Sequence, residues 1–249
     1  IISSDDNAFD FLVEYRDHIF PETPVIFCGT NYMSSQRKAR LSHSTGVNEA
    51  ASIKNNIELI PRLHPKVNPL VILADDTTTG RRLRKRLDML LPAFKGRVRF
   101  QILQKVSKDE LINAMRTLPE ASVVLSTLFM RDRRGAFIEY DDSIRLVTES
   151  TTRPVYVTWD FSMGSGAIGG LLTSARSQGE AAARLALRVL SGEPAENIPL
   201  IKESPNKYIF DYIALKQHAV AMERLPSGSI IRNQPPKEHK SYRGLFLKS

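Results

Sequence analysis

Along this chain, short apolar runs rich in β-branched residues alternate with segments whose apolar positions recur every three or four residues. The runs cover residues 1–4, 25–28, 70–74, 98–102, 122–126 and 155–159. Between them, Phe9, Leu12, Val13 and Phe20 mark one helical face, and Leu83, Leu87, Leu90 and Leu91 mark a second. A third carries Leu111, Ile112, Met115 and Leu118, and Ser107 with Glu110 three residues on predicts a capping box at its start. A longer helix over 178–191 sets Ala182, Leu185, Ala186 and Val189 on one face and stops at Gly192, before Pro194. Strands that are apolar almost throughout and alternate with helices predict an α/β fold with parallel sheets covered on both faces.

In such a fold right-handed crossovers gather every strand-to-helix loop at the carboxyl edge of the sheet, where ligands bind. The loops at residues 4–7, 29–32, 75–80, 127–129 and 159–161 are rich in short hydrogen-bonding side chains, and several add an aromatic ring. They predict a pocket with many directional polar groups and one or two flat apolar walls.

Composition narrows the chemistry. The chain has 249 residues, enough for one domain or two small lobes, with 42% hydrophobic and 25% charged residues. Its 35 Lys and Arg against 27 Asp and Glu give a net charge of +8. That balance permits an anionic partner without requiring one. The basic residues are dispersed, densest at 81–86, and no RNA-recognition or helix-turn-helix signature accompanies them, so nucleic acid is not an expected partner. Cys28, the single cysteine, lies in an apolar run and reads as a buried thiol. Histidines 18, 43, 64, 218 and 239 all fall outside the carboxyl-edge loops and show no metal-ligand spacing. No metal and no cofactor are expected. No run of about 18 apolar residues crosses a membrane, and no signal peptide precedes the first strand. The opening Ile1-Ile2-Ser3-Ser4 reads as the end of a strand, which predicts that part of the fold lies upstream. Beyond Pro226 periodicity fades, and the basic stretch 237–248 reads as an exit segment.

Two motifs carry competing chemistry. Residues 164–169 match G-x-G-x-x-G, but four residues separate them from the preceding strand. The segment after Gly169 reads as a strand rather than a helix, so a flexible glycine loop is favoured. LVILADDTTTG at 70–80 resembles the ribose-phosphate loop of phosphoribosyltransferases, with its acids one residue closer to Thr-Thr-Gly than is usual there. A polar turn followed by a solvated basic helix face is the preferred account. Asp6, Asp76 and Asp160 could converge across a cleft, as a carboxylate pair or as holders of an ammonium or hydroxyls.

The segments ISSDDNAFDFLVEYRD, PVIFCGTNY, the turn at Gly46-Val47, VYVTWDFSMGSGAIGGLLTSARSQGEAAARLALRVLSGEP, ESPNKYIFDYIAL and SGSIIRNQPP resemble the ABC-transporter-substrate-binding-like family. The sensor regions of bacterial histidine kinases are the members they resemble best. The resemblance covers nearly the whole chain and is most specific over 159–194. It implies a type I periplasmic-binding fold: two Rossmann-like lobes with parallel sheets, joined by hinge strands, the first lobe lacking its N-terminal part. The first lobe would hold 1–47 and 175–203, the second 48–174 and 204–222, with 223–249 leading out. Ligand contacts implied are Asp6, Asn7, Asn31 and Tyr32 from the first lobe, and Asp76, Thr79, Thr127, Trp159 and Asp160 from the second, with no catalytic residue.

The expected function is a periplasmic or extracellular sensor domain whose lobes close on a small ligand. An amino acid is favoured, and a sugar or nucleoside is allowed. The membrane would be met through flanking segments, with the basic tail against anionic headgroups, and a homodimer is admitted. The alternatives are a free or lipid-anchored binding protein of an ABC transporter and, from another class, a phosphoribosyltransferase-like enzyme.

Overall fold

Residues 1–236 are described by the computed structural model, and their strands fall into two sheets. The first sheet is β1 (Ile2–Ser4), β2 (Val25–Asn31) and β3 (Ser44–Glu49), parallel and in that spatial order. α1 (Asp6–Ile19) and the single turn α2 (Ser35–Lys38) connect them. The chain then enters the second lobe through α3 (Ile53–Leu63), β4 (Leu70–Ala74), α4 (Thr78–Leu90), β5 (Phe100–Leu103) and α5 (Lys108–Arg116). β6 (Val123–Leu128), α6 (Tyr140–Ser150), β7 (Val155–Val157) and β8 (Gly169–Leu172) come next. α7 (Ala175–Leu190) returns to the first sheet, and β9 (Lys207–Asp211), α8 (Tyr212–Gln217) and β10 (Ile230–Arg232) complete the second. That sheet runs β10-β9-β8-β7-β6-β4-β5, parallel from β8 to β5, with β9 antiparallel to β8.

Side-chain alternation explains the layering. Along β4, Leu70 and Ile72 face a core that holds Ile57 and Ile60 of α3, Leu83 and Leu87 of α4 and Leu215 of α8. Val71 and Leu73 face the opposite core, with Leu111 and Met115 of α5 and Ile144 and Val147 of α6. β6 repeats this, Val123 and Leu125 on one side and Val124 on the other. A strand buried on both faces needs apolar residues at every position, hence the unbroken runs in the sequence. In the small sheet, Ile26, Cys28 and Val47 pack against Ala181, Ala182 and Leu185 of α7. Phe27 and Val25 pack against Phe9 and Leu12 of α1, the Phe9 and Phe27 rings meeting edge-on at 5.2 Å.

Three connections link the lobes, and amide side chains tie them together. Asn206 Nδ2 donates to the Ala50 carbonyl at 2.8 Å and to Ser52 Oγ at 2.7 Å. Asn48 Nδ2 donates to the Lys202 carbonyl at 3.0 Å. Gln178, one turn into α7, donates to the Asn48 carbonyl at 3.2 Å and Ser204 Oγ at 3.1 Å, and accepts from Gly29 N at 3.2 Å. At the middle connection, Thr173 bridges in parallel to Trp159.

The structure departs from the sequence expectations at several places, each with a physical reason. Gly46-Val47, expected as a turn, lies inside β3, which continues to Glu49. Gly46 is needed there for close approach, since a Cβ on it would stand 2.4 Å from the Phe27 ring. β2 runs on past Cys28 through a register shift at Gly29, whose φ of 63° a side chain would strain. Past Pro226 the chain still adds β10 to the edge of the second sheet, where three residues carry too little periodicity to read. The basic stretch 237–248 lies outside the described residues. Gly164–Gly169 lead into β8, as the motif reading favoured. A Cβ on Gly169 would stand 2.0 Å from the Ile209 carbonyl, so that glycine serves strand packing.

Candidate functional site

A cleft of about 230 Å³ opens between the two sheets. Ser4, Asp5, Gly29, Asn31 and Glu49 line it from the first lobe, at the carboxyl ends of β1, β2 and β3. Thr79, Leu128, Tyr140, Trp159 and Phe161 line it from the second, and Thr173 and Ala175 close it at the middle connection. The starts of four helices meet here: Asp5 is the N-cap of α1, Thr79 lies in the first turn of α4, Tyr140 begins α6 and Ala175 begins α7. Asp5, Thr77 and Ser174 each cap one amide of α1, α4 and α7, and the remaining first-turn amides and the helix dipoles favour an anionic ligand group such as a carboxylate.

The first-lobe wall is acidic. Glu49 ends β3 with only 9% of its surface exposed. Burial first, and then the charges of Asp5 and Asp6, push its carboxyl up to about 7. Its carboxylate makes no hydrogen bond or ion pair among the described residues. Asp5 holds φ 80° and accepts from the backbone N of Asp6 at 2.5 Å.

Rings make up the second-lobe wall. Trp159, 8% exposed, stacks on Phe161 with centroids 5.8 Å apart and planes 15° apart. Phe161 meets Tyr140 edge-on at 4.5 Å, and these two rings are 40% and 49% exposed. Exposed apolar surface of this kind, at the mouth of a cleft, marks a binding surface. The Trp159 Nε1–H is buried and has no acceptor among the described residues.

Of the residues expected at the site, the structure brings Asn31, Thr79 and Trp159 to the cleft. Asp6 stands beside it and is fully engaged. Its carboxylate accepts from Arg37 Nη1 at 2.5 Å, from Arg82 Nη1 at 2.9 Å and from Asn31 Nδ2 at 3.2 Å. Arg82 belongs to α4, so this ion pair joins the lobes. Asn7 is exposed on the first turn of α1, away from the lining. Tyr32 turns to a separate cavity behind the hinge, beside Asn48, Arg86 and Lys202. Thr127 is buried and donates to the Leu73 carbonyl at 2.7 Å, which holds β6 to β4 instead of a ligand. Asp76 and Asp160 are half-buried and outside the lining, Asp160 between the lining residues Trp159 and Phe161. Glu49 and Asp5 are the acids in the cleft. Asp5 lies in a loop that the sequence singles out, whereas Glu49 escapes notice because the glycine of β3 reads as a turn.

The loop resembling a ribose-phosphate site is consumed internally. Asp75 accepts from Thr77 N at 3.1 Å, Thr77 Oγ1 at 2.7 Å and Met130 N at 2.8 Å, and Thr77 Oγ1 caps Gly80 N at 3.1 Å. A Cβ at Gly80 would collide with the Asp75 carboxylate. Cys28 is buried, and burial pushes its thiol up. His64 is held down at about 4 by burial, its Nε2 2.8 Å from the Tyr156 hydroxyl at the far end of the sheet. Among the described residues no cluster of His, Cys, Asp or Glu could hold a metal ion.

A cleft between two α/β lobes, lined from both and crossed by three connections, has a counterpart in known proteins. The sequence profile of the family described as ABC transporter substrate binding protein matches residues 17–225. The chain belongs to that family. It shares its fold with solved structures of low identity. A conserved domain protein from Vibrio cholerae matches with a TM-score of 0.59 and 15% identity, over 92% of this chain and 77% of that one. The ligand-free, open structure of CD0873, a substrate binding protein with adhesive properties from Clostridium difficile, gives 0.66 and 13%, over 93% and 77%. An ABC domain from Streptococcus pneumonia in complex with L-Trp gives 0.60 and 15%, over 92% and 78%. No curated protein matches. The family is extracytoplasmic. No helix among the described residues is long and apolar enough to cross a membrane.

Proposed function

We propose that this protein is the substrate-binding component of an ABC transporter, collecting an amino acid with a flat side chain between its two lobes and handing it on without chemistry. The observation that carries the reading is the cleft itself, with acids on one wall, stacked rings on the other and helix starts around both. An α-amino acid presents an ammonium, a carboxylate and a side chain, and these three surfaces match its three parts. The L-Trp held by the pneumococcal relative agrees with that choice. Transport is favoured over sensing because the family description and the C. difficile relative both speak of substrate binding. The proposed lobes are 1–47 with 175–203, and 48–174 with 204–222. Any membrane attachment would be made through flanking segments.

Thermal unfolding across amino acids, sugars and nucleosides tests the reading, because a ligand held only by the folded state raises the melting temperature. Aromatic amino acids are expected to raise it, and small-angle scattering to show a smaller radius of gyration with them present. A shift produced only by sugars or nucleosides would replace the cargo, and a shift from none of the three classes would remove the reading.

A further inference from the structure

Two side chains in the cleft are each more than nine-tenths buried yet have no partner among the described residues, and they are of opposite kind. Glu49 offers acceptor oxygens that stay open to the cleft, and Trp159 offers one N–H donor that is buried and unpaired. A buried indole N–H without an acceptor, and a largely desolvated carboxylate without a cation, are costly to leave unpaired, and a ligand that supplies both partners offsets that cost. The surroundings of Glu49 hold no compensating cation. Asp5 and Asp6 face it from α1 and its cap, Cys28 from β2 and Tyr32 from the position that follows β2. Arg37 and Arg82 are already bound to Asp6, and Arg86 lies beyond Tyr32, in the cavity behind the hinge. Among the described residues, no Lys, Arg or His lines the cleft.

We propose that Glu49 is the residue that selects the cargo by taking its ammonium group, while the Trp159 N–H takes an acceptor on the same molecule. The proposal rests on the reading of the cleft as a cargo site and adds which cargo enters: amines carried as cations, in preference to neutral or deaminated molecules of the same shape. Burial and like charges hold the empty carboxyl near pH 7, so binding there is an exchange. The ligand arrives as R–NH₃⁺, Glu49–COOH gives its proton to the buffer, and the carboxylate pairs with the ammonium. Affinity therefore rises with pH until the empty carboxyl is ionised and levels off above about 7. Below that point it falls roughly tenfold per pH unit.

The test uses three probes of one ring system: L-tryptophan, tryptamine, which lacks the carboxylate, and indole-3-propionate, which lacks the ammonium. Isothermal titration on the unaltered protein should show indole-3-propionate at least about 30-fold weaker than L-tryptophan, since a buried charge pair with its hydrogen bonds is lost. L-Tryptophan should bind about 30-fold more weakly at pH 5.5 than at pH 8, with proton release at pH 6 visible as a dependence on buffer ionisation enthalpy. Glu49→Gln, checked for folding by thermal unfolding, should remove both the pH dependence and the preference for the amine. Equal binding of L-tryptophan and indole-3-propionate, or an affinity flat from pH 5.5 to 8, overturns the proposal alone. Absence of binding by all three probes removes the aromatic amino-acid reading and this proposal together.

Discussion

On the first-lobe wall of the cleft, Asp5 and Glu49 present oxygen atoms at strand ends, with Asp6 and its two arginines just behind. On the second-lobe wall, Trp159, Phe161 and Tyr140 present a graded stack of rings, buried at the base and half-exposed at the rim. The first wall is directional and sensitive to charge; the second is broad and tolerant of shape. Such a division lets one face fix the orientation of a small molecule while the other supplies contact area. A ligand touching both stabilises the state in which the walls are close, by the difference in its affinity for the two states.

The comparison breaks most readily at the ring wall. Trp159→Ala should cost about 2–3 kcal/mol of binding, roughly 30- to 150-fold in Kd for L-tryptophan, from lost area and stacking. A change below threefold in a calorimetric titration would show that the rings do not form the apolar wall of the site.

An intermediate effect belongs to the acidic wall, and it is seen without ligand. The Glu49 carboxyl is raised in the folded chain, so its contribution to stability is fully present below the unfolded carboxylate range and is lost as pH climbs through about 7. Glu49→Gln should therefore stabilise the empty protein by about 1–2 kcal/mol at pH 8, or roughly 2–6 °C, and should change little at pH 4. Chemical denaturation at the two pH values measures it; equal effects at both would mean that Glu49 is not strained by burial.

The smallest effect lies between the walls. Asp6 and Arg82 join the lobes through a half-exposed pair, and such pairs contribute about 0–1 kcal/mol. Arg82→Ala should weaken L-tryptophan binding no more than about fivefold, and in 0.5 M salt the difference should vanish as screening removes it from both proteins. A larger loss that survives salt would place Arg82 on the ligand itself.

The second sheet is legible in the sequence because its strands are buried on both faces, so Leu70 to Ala74 and Val123 to Leu125 read as unbroken apolar runs. The first sheet is only half legible. β3 contains Thr45, Gly46 and Asn48, and its glycine suggests a turn until the Phe27 ring lying across it is known. The same blind spot hides Glu49, since a residue in an expected turn has no reason to face a cleft. Trp159 and Thr79 stand out because they close recognisable strand-to-helix loops. Thr127 and Asp76 occupy equivalent loops, yet Thr127 is spent on a backbone carbonyl of β4 and Asp76 lies outside the lining. Loop position tells which residues are near the carboxyl edge; it does not tell which way each one turns.

Gln178 reaches β2 through Gly29, the first connection through Asn48 and the third through Ser204, while Asn206 links the third back to the first. A joint whose members are cross-tied in this way cannot let one connection swing while the others stay still. In the proposed transport role, such cross-ties favour a concerted bend of the two lobes over independent movement of one connection. A transporter docking on the rims, as the proposed function requires, would then read the angle between the lobes.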